Sequence, residues 1–171
     1  MRTGITGGIG SGKSYVCRRL KALYGIEVYD CDTAAKRLMH HSTELRQQLT
    51  ALIGPDAYLP QSATRTPLTS GLSPLNKRAV ARFLLASESN ARAIDAIVHP
   101  AVFRDFEQSG YEWMESAILF DSGAYRLVDR TIVVTAPEEV RLQRVMPSRC
   151  ITRCSLTSSG AVTTIVRSTS R

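Results

Sequence analysis

Gly7-Gly8-Ile9-Gly10-Ser11-Gly12-Lys13-Ser14 decides the reading of this chain. The stretch has the spacing G-x-x-x-x-G-K-[ST]. In that pattern glycines let backbone N–H groups turn inward around a phosphate, the lysine reaches the β- and γ-phosphates, and the hydroxyl ligates Mg²⁺. The pattern carries this meaning between a strand and a helix. Thr3-Gly4-Ile5-Thr6, just before it, reads as the end of a short buried strand. Lys13 to Leu23, just after it, has helical spacing, with Val16, Leu20 and Leu23 on one face. The loop thus opens a helix whose N-terminal partial positive charge adds to an anion site. The expected nucleotide site comprises Gly7, Gly8, Ile9, Gly10, Ser11, Gly12, Lys13, Ser14 and Tyr15, with Lys13 catalytic and Ser14 the metal ligand. The competing reading, a glycine-rich turn that binds nothing, does not explain why the motif stands where the chemistry needs it.

Working outward, Tyr24-Gly25 ends the helix and Ile26 to Tyr29 predicts a second strand. Asp32 to Ile53 is helical in pattern, and Gly54 to Pro74, rich in Pro, Ser, Thr and Gly, predicts a surface connection. Helix returns at Leu75 to Leu85 and at Glu88 to Glu107, with a kink expected at Pro100. Trp113 to Phe120 and Thr131 to Thr135 read as strands, and Pro137-Glu138-Glu139 starts a helix with proline and acids in its first turn. Strands alternating with helices predict an α/β fold of three layers, a parallel sheet between helices. Residues 147 to 171 contain no aromatic, no acid and no lysine, and Ser plus Thr dominate. No amphipathic face can be drawn there, so an irregular tail is expected.

The bulk numbers set limits. A chain of 171 residues with 43% hydrophobic content suffices for one compact domain with an inserted lobe. No apolar run approaches the roughly 18 residues needed to cross a bilayer, and the start lacks a signal-peptide core, so a cytoplasmic protein without a membrane partner is expected. Cys17, Cys31, Cys150 and Cys154 form no C-x-x-C pair, which argues against a zinc site or a disulfide framework. Of the net charge of +7, the tail arginines Arg149, Arg153, Arg167 and Arg171 supply +4. The remainder is ordinary for a protein that binds anionic phosphates and does not call for nucleic acid.

Asp30 and Asp32 follow the second strand, whose carboxyl end faces the ligand crevice in an open α/β sheet. Phosphoryl transfer to an alcohol needs a carboxylate to accept the hydroxyl proton, and either residue can serve. Asp32 equally suits the N-cap of a helix starting at Thr33. His99, beside Pro100, is by itself more in keeping with a structural histidine than a catalyst. Arg141 and Arg144 stand on the helix after Pro137, where an arginine clamps transferring phosphates or lines a solvated face.

Taken together, residues 1 to 146 resemble the dephospho-CoA kinases, a P-loop NTPase family. Thr6 to Ser14 looks like the family's opening, and Tyr29-Asp30-Cys31-Asp32 is similar to its D-x-D element. Leu75-Asn76-Lys77-Arg78 and Ile97-Val98-His99-Pro100 resemble its acceptor-lobe segments. Ile118 to Gly123 resembles P-L-L-F-E-x-G, with Asp121 in place of the Glu. The resemblance implies a helical acceptor lobe at about 33–109 and ATP-dependent phosphorylation of the ribose 3′-hydroxyl of dephospho-CoA with Mg²⁺. It implies Asp32 as base and acceptor-site residue, His99 in the acceptor site and Arg144 as a phosphate or lid contact.

After Met146 the chain departs from the family's x-R-D-x-x-S-R and lid helix, and both the lid and the last strand are expected to be missing. Ser148 to Arg153 can be encoded TCG-CGA-TGC-ATC-ACG-CGA, which one base later spells Arg-Asp-Ala-Ser-Arg, the family's motif in its expected place. A one-base insertion near codon 147 explains that coincidence, and the actual codons test it. Two other readings stand beside the kinase: another small-molecule P-loop kinase, or an ATP-binding product disabled by its C-terminus.

Overall fold

The computed structural model describes residues 1–60 and 73–146, together with the backbone of 163–168. It divides into two compact units, Met1–Asp30 with Ser109–Arg171, and Cys31–Gln108.

The first unit is built on a five-stranded sheet in the order β2-β3-β1-β4-β5. β1 (Thr3–Thr6) is buried at every position and lies between β3 (Trp113–Glu115) and β4 (Arg130–Thr135), parallel to both. β2 (Val28–Asp30) pairs in parallel with the outer side of β3, which sets Asp30 opposite Glu115. Because β1 is central, its residues are apolar, small or hydroxylic, and the core forms around Ile5, Met114, Leu119 and Val134, all fully buried. α1 (Lys13–Tyr24) follows the glycine loop and ends at Gly25, whose left-handed backbone (φ 65°) lets its N–H donate to Lys21 O and the following Ile26 N–H to Leu20 O. Of the apolar face expected on α1, Val16 and Leu20 are half-buried while Leu23 is exposed. α6 (Glu138–Val145) follows β4, with Pro137 as its N-cap residue and two glutamates in its first turn.

Three expectations need correction here. The strand expected over Trp113 to Phe120 stops at Glu115, because the Ser116 hydroxyl accepts a hydrogen bond from the Ile118 amide (3.3 Å) and turns the chain. The second strand runs over Val28–Asp30 rather than 26 to 29. The stretch expected to be irregular throughout, with the last strand missing, supplies β5 (Thr163–Ser168), antiparallel to β4 from Arg130↔Ser168 to Thr135↔Thr163. The consecutive β-branched residues Val162, Thr163, Thr164, Ile165 and Val166 explain a strand where no amphipathic face exists. It pairs along the β4 edge that a missing last strand would leave open. The rest of the stretch where the lid is expected to be missing, 147–162 and 169–171, lies outside the described residues, as do 61–72 of the expected surface connection.

The second unit is helical. The single helical stretch expected from Asp32 to Ile53 is two helices, α2 (Cys31–His41) and α3 (Thr43–Ile53). Ser42 separates them: its backbone is extended and its hydroxyl accepts from the Leu45 amide (3.3 Å). Asn76 caps α4 (Lys77–Ala86) in the same way through the Ala79 amide. α5 (Glu88–Ser109) runs through Pro100 and buries Ile94, Val98, Ala101, Val102 and Phe106. Arg46 ties the unit together, donating to the His40 and Ser73 carbonyls (3.1 and 2.8 Å) while its guanidinium lies 3.9 Å from the Tyr58 ring centroid.

Candidate active site

The glycine loop joins β1 to α1, so its amides lie at the carboxyl end of the central strand and at a helix N-terminus, where partial positive charges converge. The Ser11 amide donates to the Gly8 carbonyl (3.2 Å), which closes the loop into a tight turn. Gly10 has φ 76°, a conformation that other residues adopt only at a cost, and the backbone of Arg141 on α6 rests directly on it. The Lys13 ammonium bends back over the loop, donating to Gly7 O (2.7 Å) and Gly8 O (3.4 Å). The Arg144 guanidinium comes from α6 and donates through one nitrogen to Gly10 O (3.0 Å) and Ser11 O (3.2 Å). Thus Lys13 and Arg144, picked from separate stretches of sequence, both hold carbonyls of the same loop.

A cavity of about 730 Å³ opens on this arrangement. Gly8, Gly10 and Gly12 form its floor with Lys13 and Ser14, and Tyr15, Arg18 and Arg144 line the rest. Positive charge and backbone donors converge here, with no carboxylate in the lining among the described residues, which suits a polyphosphate. Ser14 lines the cavity next to Lys13, and its hydroxyl is a hard oxygen of the kind that could serve Mg²⁺. Of the predicted nucleotide residues, Ile9 is exposed at the loop tip and Ser11 is buried, its hydroxyl without a hydrogen-bond partner among the described residues. Arg141 Nε is likewise buried and unpartnered among the described residues.

Glu115 is a residue that sequence reasoning missed. It ends β3 in register with Asp30 at the end of β2, and burial, with both carboxylates adding to it, pushes the Cys17 thiol of α1 up to about 11. The rule that singled out Asp30, a carboxylate at a strand's carboxyl end, also applies to Glu115. The overlong strand expected through Phe120 concealed it.

Asp32 and His99 belong to the helical unit. Asp32 sits in the first turn of α2, exposed, and accepts from the Lys36 ammonium one helical turn on. It does not cap a helix starting at Thr33, because α2 already begins at Cys31. His99 is on α5, with Nε2 3.5 Å from Asp95 Oδ1 and its ring stacked on Phe103 at 6.1 Å between centroids. Those neighbours fix the orientation of the imidazole and serve a structural or a substrate-binding histidine equally.

The comparisons with known proteins converge on one family. The family model for dephospho-CoA kinase matches residues 1–161, running past residue 146, where the motif resemblance ends. The dephospho-CoA kinase of Porphyromonas gingivalis is 44% identical over 149 residues, covering 84% of this chain and 67% of that protein. That of Bacteroides fragilis is 36% identical over 153 residues, covering 85% of this chain and 68% of its own length. The chain therefore spans about two thirds of the length of the curated relatives it matches. Among solved structures, TT1252 from Thermus thermophilus superposes with a TM-score of 0.66 at 32% identity, over 89% of this chain and 74% of that one. A dephospho-CoA kinase from Campylobacter jejuni, 14% identical with a TM-score of 0.52 over 77% of this chain and 64% of that one, shares the fold. With the phosphate loop built as the motif requires, these matches place the chain in the dephospho-CoA kinase family.

Proposed function

We propose that this chain transfers the γ-phosphoryl group of ATP to the ribose 3′-hydroxyl of dephospho-CoA, giving CoA and ADP, in the cytoplasm. The observation that carries the reading is the shared grip of Lys13 and Arg144 on the Gly7–Ser11 carbonyls at the rim of the cavity. In this reading those two cations would shift from the loop carbonyls to the phosphate oxygens, where charge builds during transfer. Ser14 would hold Mg²⁺, which with ATP bound neutralises charge on the β- and γ-phosphates. Asp32, by its match to the family's D-x-D element, would accept the proton of the 3′-hydroxyl as the P–O bond to ADP breaks and the new P–O bond forms. His99 would contact the acceptor.

ADP release on adding dephospho-CoA to the protein with Mg-ATP, beside the same protein carrying Lys13→Ala, tests this. Turnover should require both dephospho-CoA and Lys13. A panel of other alcohol acceptors separates the reading from a different small-molecule kinase. One observation favours a second reading, ATP binding without turnover: Pro147 to Arg153 lacks the family's lid motif. Mg-ATP binding with no ADP release would establish that alternative.

A further inference from the structure

α6 meets the glycine loop through two arginines. Arg144 lines the cavity and donates to Gly10 O and Ser11 O. Arg141, one helical turn earlier and so on the same face of α6, reaches the loop by a different route. Its backbone rests on Gly10, where an added Cβ would stand 2.7 Å from the Arg141 carbonyl oxygen. Its guanidinium lies against Gly8, where an added Cβ would stand 3.1 Å from Nη1. One residue thus covers two glycines of the loop, and it can approach because neither carries a side chain. The loop's own contacts also gather at Gly8, whose carbonyl accepts from the Ser11 amide (3.2 Å) and the Lys13 ammonium (3.4 Å). The Nε atom of Arg141 is buried, so its charge is partly withdrawn from water and is screened less than a charge in bulk solvent. Lys13, Arg141 and Arg144 therefore bring three cations onto residues 7–11. Like charges crowded on one short loop repel one another, and a bound polyanion relieves that repulsion.

We propose that Arg141 is a positioning residue of the phosphate loop: it seats Gly8 and Gly10 from α6, and the charge it brings to that contact strengthens the loop's hold on the donor's phosphates. It acts through the loop, and so on any polyphosphate that the loop holds, with or without a base. The proposal rests on the reading of Gly7–Ser14 as the donor's phosphate site. A stem that only packed against the loop would leave a different signature, because its length can be kept while its charge is removed.

The test is calorimetric titration of the full chain with Mg-ATP and magnesium tripolyphosphate, repeated with Arg141→Met, Arg141→Gln, Arg141→Lys and Lys13→Ala, each checked for folding by its Tm. Arg141→Met keeps an unbranched stem without the charge and should weaken both ligands by about five- to thirtyfold. Arg141→Lys restores the charge on a different head group and should bind both within about threefold of wild type. Arg141→Gln, a second neutral variant, should match Arg141→Met, and it decides the matter if Arg141→Met does not fold. Neutral variants that bind both ligands as wild type does overturn the proposal. So does an Arg141→Lys that binds as weakly as Arg141→Met, which would make the contact one of shape, and so does a loss confined to ATP, which would place the effect at the nucleoside. Unfolding of both neutral variants would make Arg141 a structural residue and overturns it as well. If wild type binds neither ligand, or Lys13→Ala weakens neither, the phosphate-site reading itself fails and the role of Arg141 falls with it. Sensitivity to Lys13→Ala but not to loss of the Arg141 charge sinks the role of Arg141 alone.

Discussion

The backbone of Arg141 lies against Gly10 so closely that a Cβ on residue 10 would stand 2.7 Å from the Arg141 carbonyl oxygen and 3.0 Å from its Cα. Neither atom belongs to a flexible side chain, so α6 and the phosphate loop cannot both keep their positions once residue 10 carries a side chain. The φ of 76° adds a backbone cost of about 1 kcal/mol or more. Gly10→Ala should lower Tm by roughly 5–10 °C and weaken Mg-ATP binding at least tenfold. Gly25→Ala is the control: its φ is also positive, at 65°, but nothing lies within 4 Å of the added carbon. That variant should lose only about 2–4 °C and keep its ATP affinity. Equal loss of ATP binding in both would show that the Arg141 contact is irrelevant to the site.

Arg144 holds Gly10 O and Ser11 O through a single guanidinium nitrogen, and the proposed phosphate contact would use the other donors of its planar fork. Removing it should depress kcat more than it raises the ATP Kd, because the stabilised charge is largest in the transition state. We expect Arg144→Ala to lower kcat by about a hundredfold with an ATP Kd raised less than tenfold. Arg144→Lys should recover only part of kcat, since an ammonium supplies charge without the bidentate geometry. Steady-state kinetics beside equilibrium ATP titration checks both; a pure Kd effect would make Arg144 a ground-state binder.

If Asp32 is the base, Asp32→Asn removes a proton acceptor while preserving shape. The ion pair it forms with Lys36 is largely exposed on both sides, a kind worth at most about 1 kcal/mol, so the variant should fold with Tm nearly unchanged. The expected result is a fall in kcat of about 10²–10⁴ with ATP affinity within twofold of wild type. Undiminished turnover in Asp32→Asn would remove it from the chemistry.

Local pattern carried the legible part of the fold. β1, the glycine loop and α1 could be read because each is specified by consecutive residues: a short apolar run, a motif and a helical period. The break at Ser42 was harder, since Asp32 to Ile53 keeps a helical pattern across it and the stop signal is one hydroxyl that finds the Leu45 amide only once the chain has turned. Ser116 ended β3 early in the same way. β5 was illegible for another reason. Its β-branched run has no polar-apolar alternation, and its place is set by pairing with Arg130–Thr135, more than twenty residues away. Lys13, Ser14 and Arg144, named from sequence, line one cavity, whereas Glu115 and the Arg141–Gly10 contact arise from strand register and helix packing, which no single stretch encodes.

Cys17 tests the electrostatics of the strand ends without reference to turnover. Burial disfavours its thiolate first, and the Glu115 and Asp30 carboxylates add to that, raising the pKa from 9.0 to about 11. At pH 8 only about one thiol in a thousand is then ionised, so iodoacetamide should modify the peptide containing Cys17 far more slowly in the folded chain than in urea, as followed by mass spectrometry. Glu115→Gln should speed the folded-state reaction by removing one of the charges that oppose the thiolate. The sign of the stability effect follows from the same shift. Between pH 9 and 11 the unfolded thiol gives up a proton that the folded one keeps, so the stability this group confers is intact below pH 9 and is lost as pH rises through about 11. Denaturant titrations of wild type and Cys17→Ser should therefore differ by a constant amount up to pH 9, with any advantage of wild type shrinking above it. A thiol that alkylates at the unfolded rate at pH 8, or a difference that does not change between pH 9 and 11, would show that burial and the carboxylates at the ends of β2 and β3 do not hold the Cys17 thiol protonated.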